Sequence, residues 1–271
     1  MIQINDTWVK QHVHARKNEG HKKTFGHVLV VAGSEGTAGA SILSATAALK
    51  TGCGMVTALI PNVAVQVLMQ QSPEIMYLTN PNLQGVVLEK FDAILIGPGL
   101  GFSTQSKFNL NYILANYKGP IVLDADALTL LAENKTPLKP NYILTPHPGE
   151  FARLQGFEYD SNNKEEQANN FINNTLCVLV LKGAGTLVGQ TGKALLQNTT
   201  GNNGMATAGS GDVLAGIIVS ICAQGYDIYI AAALGVYIHG LAANNAVLEV
   251  SKSGLVASGI IHELAKIRVL D

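Results

Sequence analysis

Residues 27–40, HVLVVAGSEGTAGA, decide the fold class. The run His27–Ala32 is short, β-branched and apolar along its length, so it reads as a strand buried on both faces. A glycine loop follows, Gly33–Gly39, and then a helical pattern from about Ala40 to Thr51. The same grammar recurs downstream. Met55–Ile60, Asp92–Ile96, Ile121–Leu123, Tyr142–Leu144 and Cys177–Leu181 read as strands. Val63–Gln71, Ser103–Tyr117, Ala127–Glu133, Glu150–Leu154 and Lys164–Asn174 read as the helices between them. Continuous apolar strands alternating with helices predict an α/β fold: a mostly parallel central sheet with helices on both faces. Thr186–Val188 and Ala194–Gln197 flank a Gly-Gln-Thr-Gly turn and read as a hairpin. From Val213 onward the pattern is almost wholly helical, with a helix–helix connection over Gln224–Tyr229. No linker, low-complexity segment or repeat divides the chain, so one domain over residues 1–271 is expected.

Composition limits the function classes. Hydrophobic residues make up 47% and charged residues 14%, which suits a large core and not a disordered chain. A formal net charge of -1 gives no basic field for nucleic acid. The basic run His12–Lys23 (Arg16, Lys17, Lys22, Lys23) is short and reads as a solvated surface or a phosphate-facing lip. Cys53, Cys177 and Cys222 lie far apart in apolar sequence and read as buried thiols in a reducing compartment. The histidines outside the loop at 147 show no metal-ligand pairing. The N-terminus lacks a signal pattern, and charged or polar residues interrupt the apolar stretch Val213–Leu248, so neither secretion nor membrane insertion is expected. The expected location is the cytoplasm.

In open α/β sheets ligands collect beyond the carboxyl ends of the strands, and this chain decorates five of those ends. They are Gly33–Gly39, Gly97–Gly101, Asp124–Asp126, Thr145–Glu150 and Lys182–Thr186. The first has neither the lysine of a phosphate-binding P-loop nor the spacing of a dinucleotide fingerprint. Asp124 and Asp126 read equally as water-mediated Mg²⁺ ligands or as caps of the following helix. His147 is held between two prolines and is a candidate ligand contact; Glu150 starts a helix, where an acid is favoured, or orders a metal's water shell. Lys182 suits a phosphate, or else an exposed edge turn. The sixth element is NNGMATAGSGDVLAG, Asn202–Gly216: small residues, one carboxylate, then an apolar helix. Glycine lets backbone N–H groups approach a phosphate, and the helix start favours the same anion. There Asp212 reads as a general base for a hydroxyl that accepts a phosphoryl group, or as a helix-terminal acid.

In their order, GSEGTAGA, IGPGLG, VLDADAL, LTPHPGEFARL, LKGAGT and NGMATAGSGDVLAG resemble the ribokinase-like superfamily, and within it the ADP- or ATP-dependent NAD(P)H-hydrate dehydratases. The resemblance runs from about Lys22 to the C-terminal helix. It implies repair of hydrated NADH or NADPH: the hydrate hydroxyl of (6S)-NAD(P)HX is phosphorylated by ADP or ATP, and phosphate is eliminated. It further implies Asp212 as base and Gly209, Ser210 and Gly211 as anion hole. Lys182, Gly183, Ala184, Gly185, Thr186 and Gly211 would hold the nucleotide. Ala40, Gly101, His147 and Asp212 would contact the hydrated dinucleotide. Mg²⁺, a homotetramer and a separate NAD(P)HX epimerase as functional partner are implied too. With the first strand placed near His27, no upstream epimerase domain is expected. After Ala257-Ser258 the chain has Gly259, where members often carry an acid. Two other readings fit the same loops: a kinase of a thiazole, pyrimidine or pyridoxal alcohol, and a non-catalytic adenine-nucleotide sensor.

Overall fold

In the computed structural model, which describes residues 1–16 and 19–271, the strands are β1 (Ile2–Ile4), β2 (His27–Val31), β3 (Met55–Leu59), β4 (Met76–Leu78), β5 (Ala93–Ile96), β6 (Ile121–Leu123), β7 (Tyr142–Leu144), β8 (Val178–Leu181), β9 (Leu187–Gly189) and β10 (Leu196–Asn198). The helices are α1 (Asp6–His12), α2 (Ala38–Lys50), α3 (Asn62–Gln71), α4 (Thr104–Asn116), α5 (Asp126–Glu133), α6 (Pro148–Gln155), α7 (Lys164–Asn173), α8 (Ser210–Ala223), α9 (Ile228–Ala246) and α10 (Ala257–Leu264). All ten strands join one sheet in the order β1-β10-β9-β8-β7-β6-β5-β2-β3-β4. Pairing is parallel throughout except at β8–β9 and β9–β10.

Strand alternation builds two cores. Val28, Val30, Val56, Ala58, Leu95 and Val122 point to one face, where they pack with α1, α2, α3, α8, α9 and α10. Their neighbours Leu29, Val31, Ile94, Ile96, Ile121 and Leu123 point to the other, towards α4, α5, α6 and α7. Both faces are covered, which is why the strands carry no polar alternation. The pattern is thus the expected α/β sheet. All three cysteines are free and buried.

The first strand is not near His27. β1 pairs in parallel with β10, Ile4 is fully buried, and the Thr199 hydroxyl donates to the Ile4 carbonyl (2.7 Å). A three-residue edge strand shows one inward side chain, too little for a period-2 signal. The short edge strand β4 escaped the sequence reading for the same reason. Helix α2 starts two residues before the expected position, so Ala40 sits in its first turn. Of the basic run His12–Lys23, Arg16 lies over the Phe25 ring at 3.6 Å, while Lys17 falls outside the described residues. Among the described residues no helix is long and apolar enough to cross a membrane.

Candidate active site

The five loops leave β2, β5, β6, β7 and β8 at the same edge of the sheet, and the first turn of α8 faces them from behind. The β2 and β5 loops are tied together: Gly33 N–H donates to the Pro98 carbonyl (2.8 Å), and the Thr37 hydroxyl donates to the Gly99 carbonyl (2.8 Å). At Gly97 (φ +128°) a Cβ would lie 1.9 Å from the Asp124 carbonyl oxygen, so only glycine lets these two strand ends come so close.

Asp124 and Asp126 flank Ala125, whose φ of 49° and ψ of -118° place a non-glycine residue in a costly backbone region. That kink sends two nearby carboxylates to different partners. Neither caps α5, whose N-cap is Ala125 without a side-chain bond. Asp126 Oδ2 instead accepts from the Gly101 N–H at 2.8 Å. Asp124, 1% exposed, accepts from Lys182 Nζ at 2.7 Å. Lys182 also lies 3.9 Å from Glu150. It is therefore a half-buried member of an ion-pair cluster and not an exposed edge lysine. Burial opposes its charge, but Asp124 and Glu150 outweigh burial and hold its pKa above the ordinary lysine value.

His147 begins α6 with its ring. Its Nδ1 accepts from the N–H groups of Gly149 (3.0 Å) and Glu150 (3.3 Å), while Glu150 Oε2 accepts from the His147 N–H (2.8 Å). The result is a reciprocal capping box with Pro148 in the first turn. With Nδ1 accepting, the ring proton of the neutral form is assigned to Nε2, which is 3.5 Å from Glu150 Oε1.

Helix α8 begins differently. Its N-cap is Gly209 (φ 85°), and no side chain caps its amides. A Cβ at Gly209 would meet Leu43 at 2.4 Å. A Cβ at Gly211 would lie 3.2 Å from Lys182 Nζ and 3.8 Å from Asp124 Oδ2, so the open helix start looks onto the lysine–aspartate pair. Ser210 Oγ is 3.3 Å from Nε2 of the buried His239, a contact between residues 29 apart that no local pattern indicates. Burial, helped by the Lys182 charge, lowers the His239 pKa to about 4 and keeps its ring neutral. Asp212 lies in the first turn. Burial raises its pKa to about 7, Asp124 adds to the rise, and Lys182 opposes it. A carboxylate poised near neutrality is matched to proton abstraction.

Beside this centre a cavity of about 330 Å³ opens at the end of β8, lined by Lys182, Gly183, Ala184 and Gly185 together with Tyr159 and Lys164. Tyr159 and Lys164 are far from any loop motif and were not legible; Lys164 Nζ donates to the Ala184 carbonyl (3.1 Å) and braces that loop. The expected nucleotide loop therefore borders a real cavity. Of the residues expected to meet the dinucleotide, Ala40 and Gly101 lie on the β2–β5 side of Asp212 and His147 at the end of β7. Among the described residues no group of three or more His, Cys, Asp or Glu side chains forms a metal cage.

A family model described as NAD(P)H-hydrate dehydratase matches residues 28–266. The chain belongs to the NAD(P)H-hydrate dehydratase family. A bifunctional NAD(P)H-hydrate repair enzyme of Moorella thermoacetica is 37% identical, covering 96% of this chain and 52% of its own length. An ADP-dependent (S)-NAD(P)H-hydrate dehydratase of Neisseria meningitidis is 38% identical over 91% of this chain and 84% of its own. The chain spans about half the length of the bifunctional relatives it matches. The ADP/ATP-dependent NAD(P)H-hydrate dehydratase of Bacillus subtilis, crystallised with ATP and Mg²⁺, superposes with a TM-score of 0.89 at 28% identity, covering 98% of this chain and 96% of that one. The fold is therefore that of the ribokinase-like dehydratases.

Proposed function

We propose that this chain is an ADP-dependent dehydratase of (6S)-NAD(P)HX, with Asp212 as the general base. The observation that carries the reading is the placement of Asp212: a carboxyl with pKa raised to about 7, in the first turn of an uncapped helix, beside the Lys182–Asp124 pair. Hydroxide is a poor leaving group and phosphate a good one. Asp212 takes the proton of the hydrate hydroxyl as its oxygen bonds to the terminal phosphorus of ADP, and the bond from that phosphorus to the AMP oxygen breaks. The amides at Gly209, Ser210 and Gly211, with Lys182, face the negative charge on the transferred group. The lone pair of the ring nitrogen then expels phosphate, and loss of the adjacent ring proton restores NAD(P)H. Lys182–Thr186 hold the nucleotide; Ala40, Gly101 and His147 hold the dinucleotide.

The donor set suits a magnesium ion that arrives on the nucleotide and keeps its waters: Asp124 and Glu150 offer carboxylate oxygens, and the described residues form no full cage. Asp124 and Glu150 would hold it through water, and it would supply charge neutralisation to the phosphates. The proposal extends to a single domain over residues 1–271, a homotetramer, a cytoplasmic location and a functional pairing with an NAD(P)HX epimerase. The word bifunctional in the names of several relatives supports a second repair activity beside dehydration.

The test is absorbance at 340 nm with hydrated NADH, Mg²⁺ and either ADP, ATP or no nucleotide. A nucleotide-dependent rise that Asp212→Asn abolishes is expected, with ADP the better donor. A stable phosphorylated product of an added small alcohol, without any rise, would instead make the protein a kinase. Nucleotide binding with neither outcome would make it a sensor.

A further inference from the structure

The segment of residues 199–209 joins β10 to α8 and ends at the uncapped helix start. It is built of threonine, asparagine, glycine and alanine, with Met205 as its one large apolar side chain. A segment that buries so little of its own must be held from outside, and α9 holds it at both ends. At the β10 end, Asn198 Nδ2 donates to the Val236 carbonyl (3.1 Å), the Thr200 hydroxyl to the Tyr237 carbonyl (2.8 Å) and Asn202 Nδ2 to the Ala243 carbonyl (3.1 Å). Gly240 permits that approach, since a Cβ there would run into Thr200 Oγ1 and the Gly201 nitrogen. At the α8 end the link from α9 is His239, whose Nε2 meets the Ser210 hydroxyl at 3.3 Å. One stretch of α9, residues 236–243, therefore fixes both where the segment starts and where α8 begins.

Gly209, Ser210 and Gly211 supply the amides that the phosphoryl-transfer reading relies on, and of the three only Ser210 has a side chain to grip. The flanking glycines are conformationally permissive, so the backbone there needs an external handle to keep its N–H groups aimed. The Gly211 N–H belongs to the peptide plane that starts at Ser210 and turns with it. His239 suits the task. Its ring is buried, and burial together with the Lys182 charge keeps it neutral. It thus gives Ser210 a hydrogen-bonding partner without adding a second cation beside the Lys182 ammonium.

We propose that His239 is a positioning residue for phosphoryl transfer: through the Ser210 hydroxyl it holds the Gly209–Gly211 backbone in register with Asp212 and Lys182, without touching the reacting atoms. This assignment rests on the dehydratase reading, and the experiment separates the two. Steady-state kinetics with NADH hydrate and ADP would compare wild type with His239→Leu, His239→Gln, Ser210→Ala and the double variant His239→Leu/Ser210→Ala, each first shown to be folded at the assay temperature. A bond that serves stability alone leaves kcat of folded protein unchanged. His239→Leu and Ser210→Ala should each lower kcat about 10–100-fold, the cost of misplacing aligned groups by about 1 Å. KM for the hydrate and for ADP should move less than about threefold. His239→Gln, whose amide restores a polar atom towards Ser210, should return kcat to within about threefold of wild type. The double variant should be no slower than the slower single one, because both changes remove the same bond. Should His239→Leu fail to fold, Ser210→Ala removes that bond from the other side and His239→Gln still tests the rescue. Wild-type kcat in folded His239→Leu or Ser210→Ala, a glutamine variant as slow as the leucine one, or losses that simply multiply in the double variant would each overturn the assignment and leave the dehydratase reading standing. If folded wild type gives no nucleotide-dependent rise at 340 nm, the dehydratase reading fails and takes the assignment with it.

Discussion

Two helices start at the same edge of the sheet and end their first turns in opposite ways. At α6 the sequence His-Pro-Gly-Glu closes the terminus: the His147 ring takes two N–H groups, and Glu150 returns a bond to the His147 backbone. At α8 the sequence Gly-Ser-Gly-Asp leaves it open: Gly209 has no side chain to offer, and Ser210 turns its hydroxyl towards His239. Both starts carry the positive end of a helix dipole. One is closed by side chains of its own first turn, and the other has no side-chain cap. The difference teaches that an acid in the first turn is not diagnostic. Glu150 closes a capping box, whereas Asp212 is held at a pKa of about 7 by burial and a neighbouring carboxylate, an arrangement that opposes its ionised form in the folded state.

Asp212→Asn should break that contrast most severely. Turnover of the hydrate should fall about 10²–10⁴-fold, the usual loss of a general base, while the melting temperature rises. The sign follows from the raised pKa. The folded state penalises the ionised carboxylate; the penalty is absent below about pH 4, grows with pH, and is complete above about 7. The variant's thermal gain should therefore be full at pH 8 and vanish near pH 4, read by melting scans at both pH values. Equal melting temperatures at pH 8 would mean that Asp212 is not under electrostatic pressure.

Gly211→Ala partly closes the open terminus. Its methyl would sit 3.2 Å from Lys182 Nζ, and kcat should drop about 10²-fold, comparable to loss of one oxyanion donor. Alanine favours a helix by up to about 1 kcal/mol over glycine, so the folded state should not weaken. Activity and stability measured on one preparation decide whether the space matters for chemistry alone.

A pH profile of wild-type kcat should bend near 7 and fall about tenfold per unit below it, because only the ionised Asp212 accepts a proton. A flat profile between pH 5 and 8 would remove Asp212 as the base.

His147→Ala should give the smallest effect, on the closed terminus. Loss of the cap costs about 1 kcal/mol, or about 2–4 °C in melting temperature. Gly149 and Glu150 amides left open there should not rescue a Gly211→Ala enzyme. If they did, the two termini would be interchangeable.

The placement of much of the candidate site was legible. Asp212, the Lys182–Thr186 loop and His147 stand at one sheet edge because parallel strands deliver all their following loops to the same side, and strand order along the chain is readable from apolar runs. The roles of Asp124 and Asp126 were not, because helix capping and ligand binding call for the same residue type. Their partners, Lys182 and the Gly101 N–H, lie 58 and 25 residues away, and no local pattern encodes such a meeting. His239 and Lys164 were missed for a related reason: each acts through an element distant in sequence. The two edge strands were missed because three residues carry too little alternation to register.

By itself the sequence determined the α/β class, the parallel sheet covered on both faces, and which loops gather at its carboxyl edge. These follow from periodicity and glycine placement, which are local. Only the tertiary structure decided which helix start stays open, which carboxylate pairs with the lysine, and that separate cavities lie at the ends of β8 and of β2–β4. Charge pairing, desolvation and cavity shape depend on distances between segments far apart in the chain, and those are set when the two cores close around the sheet.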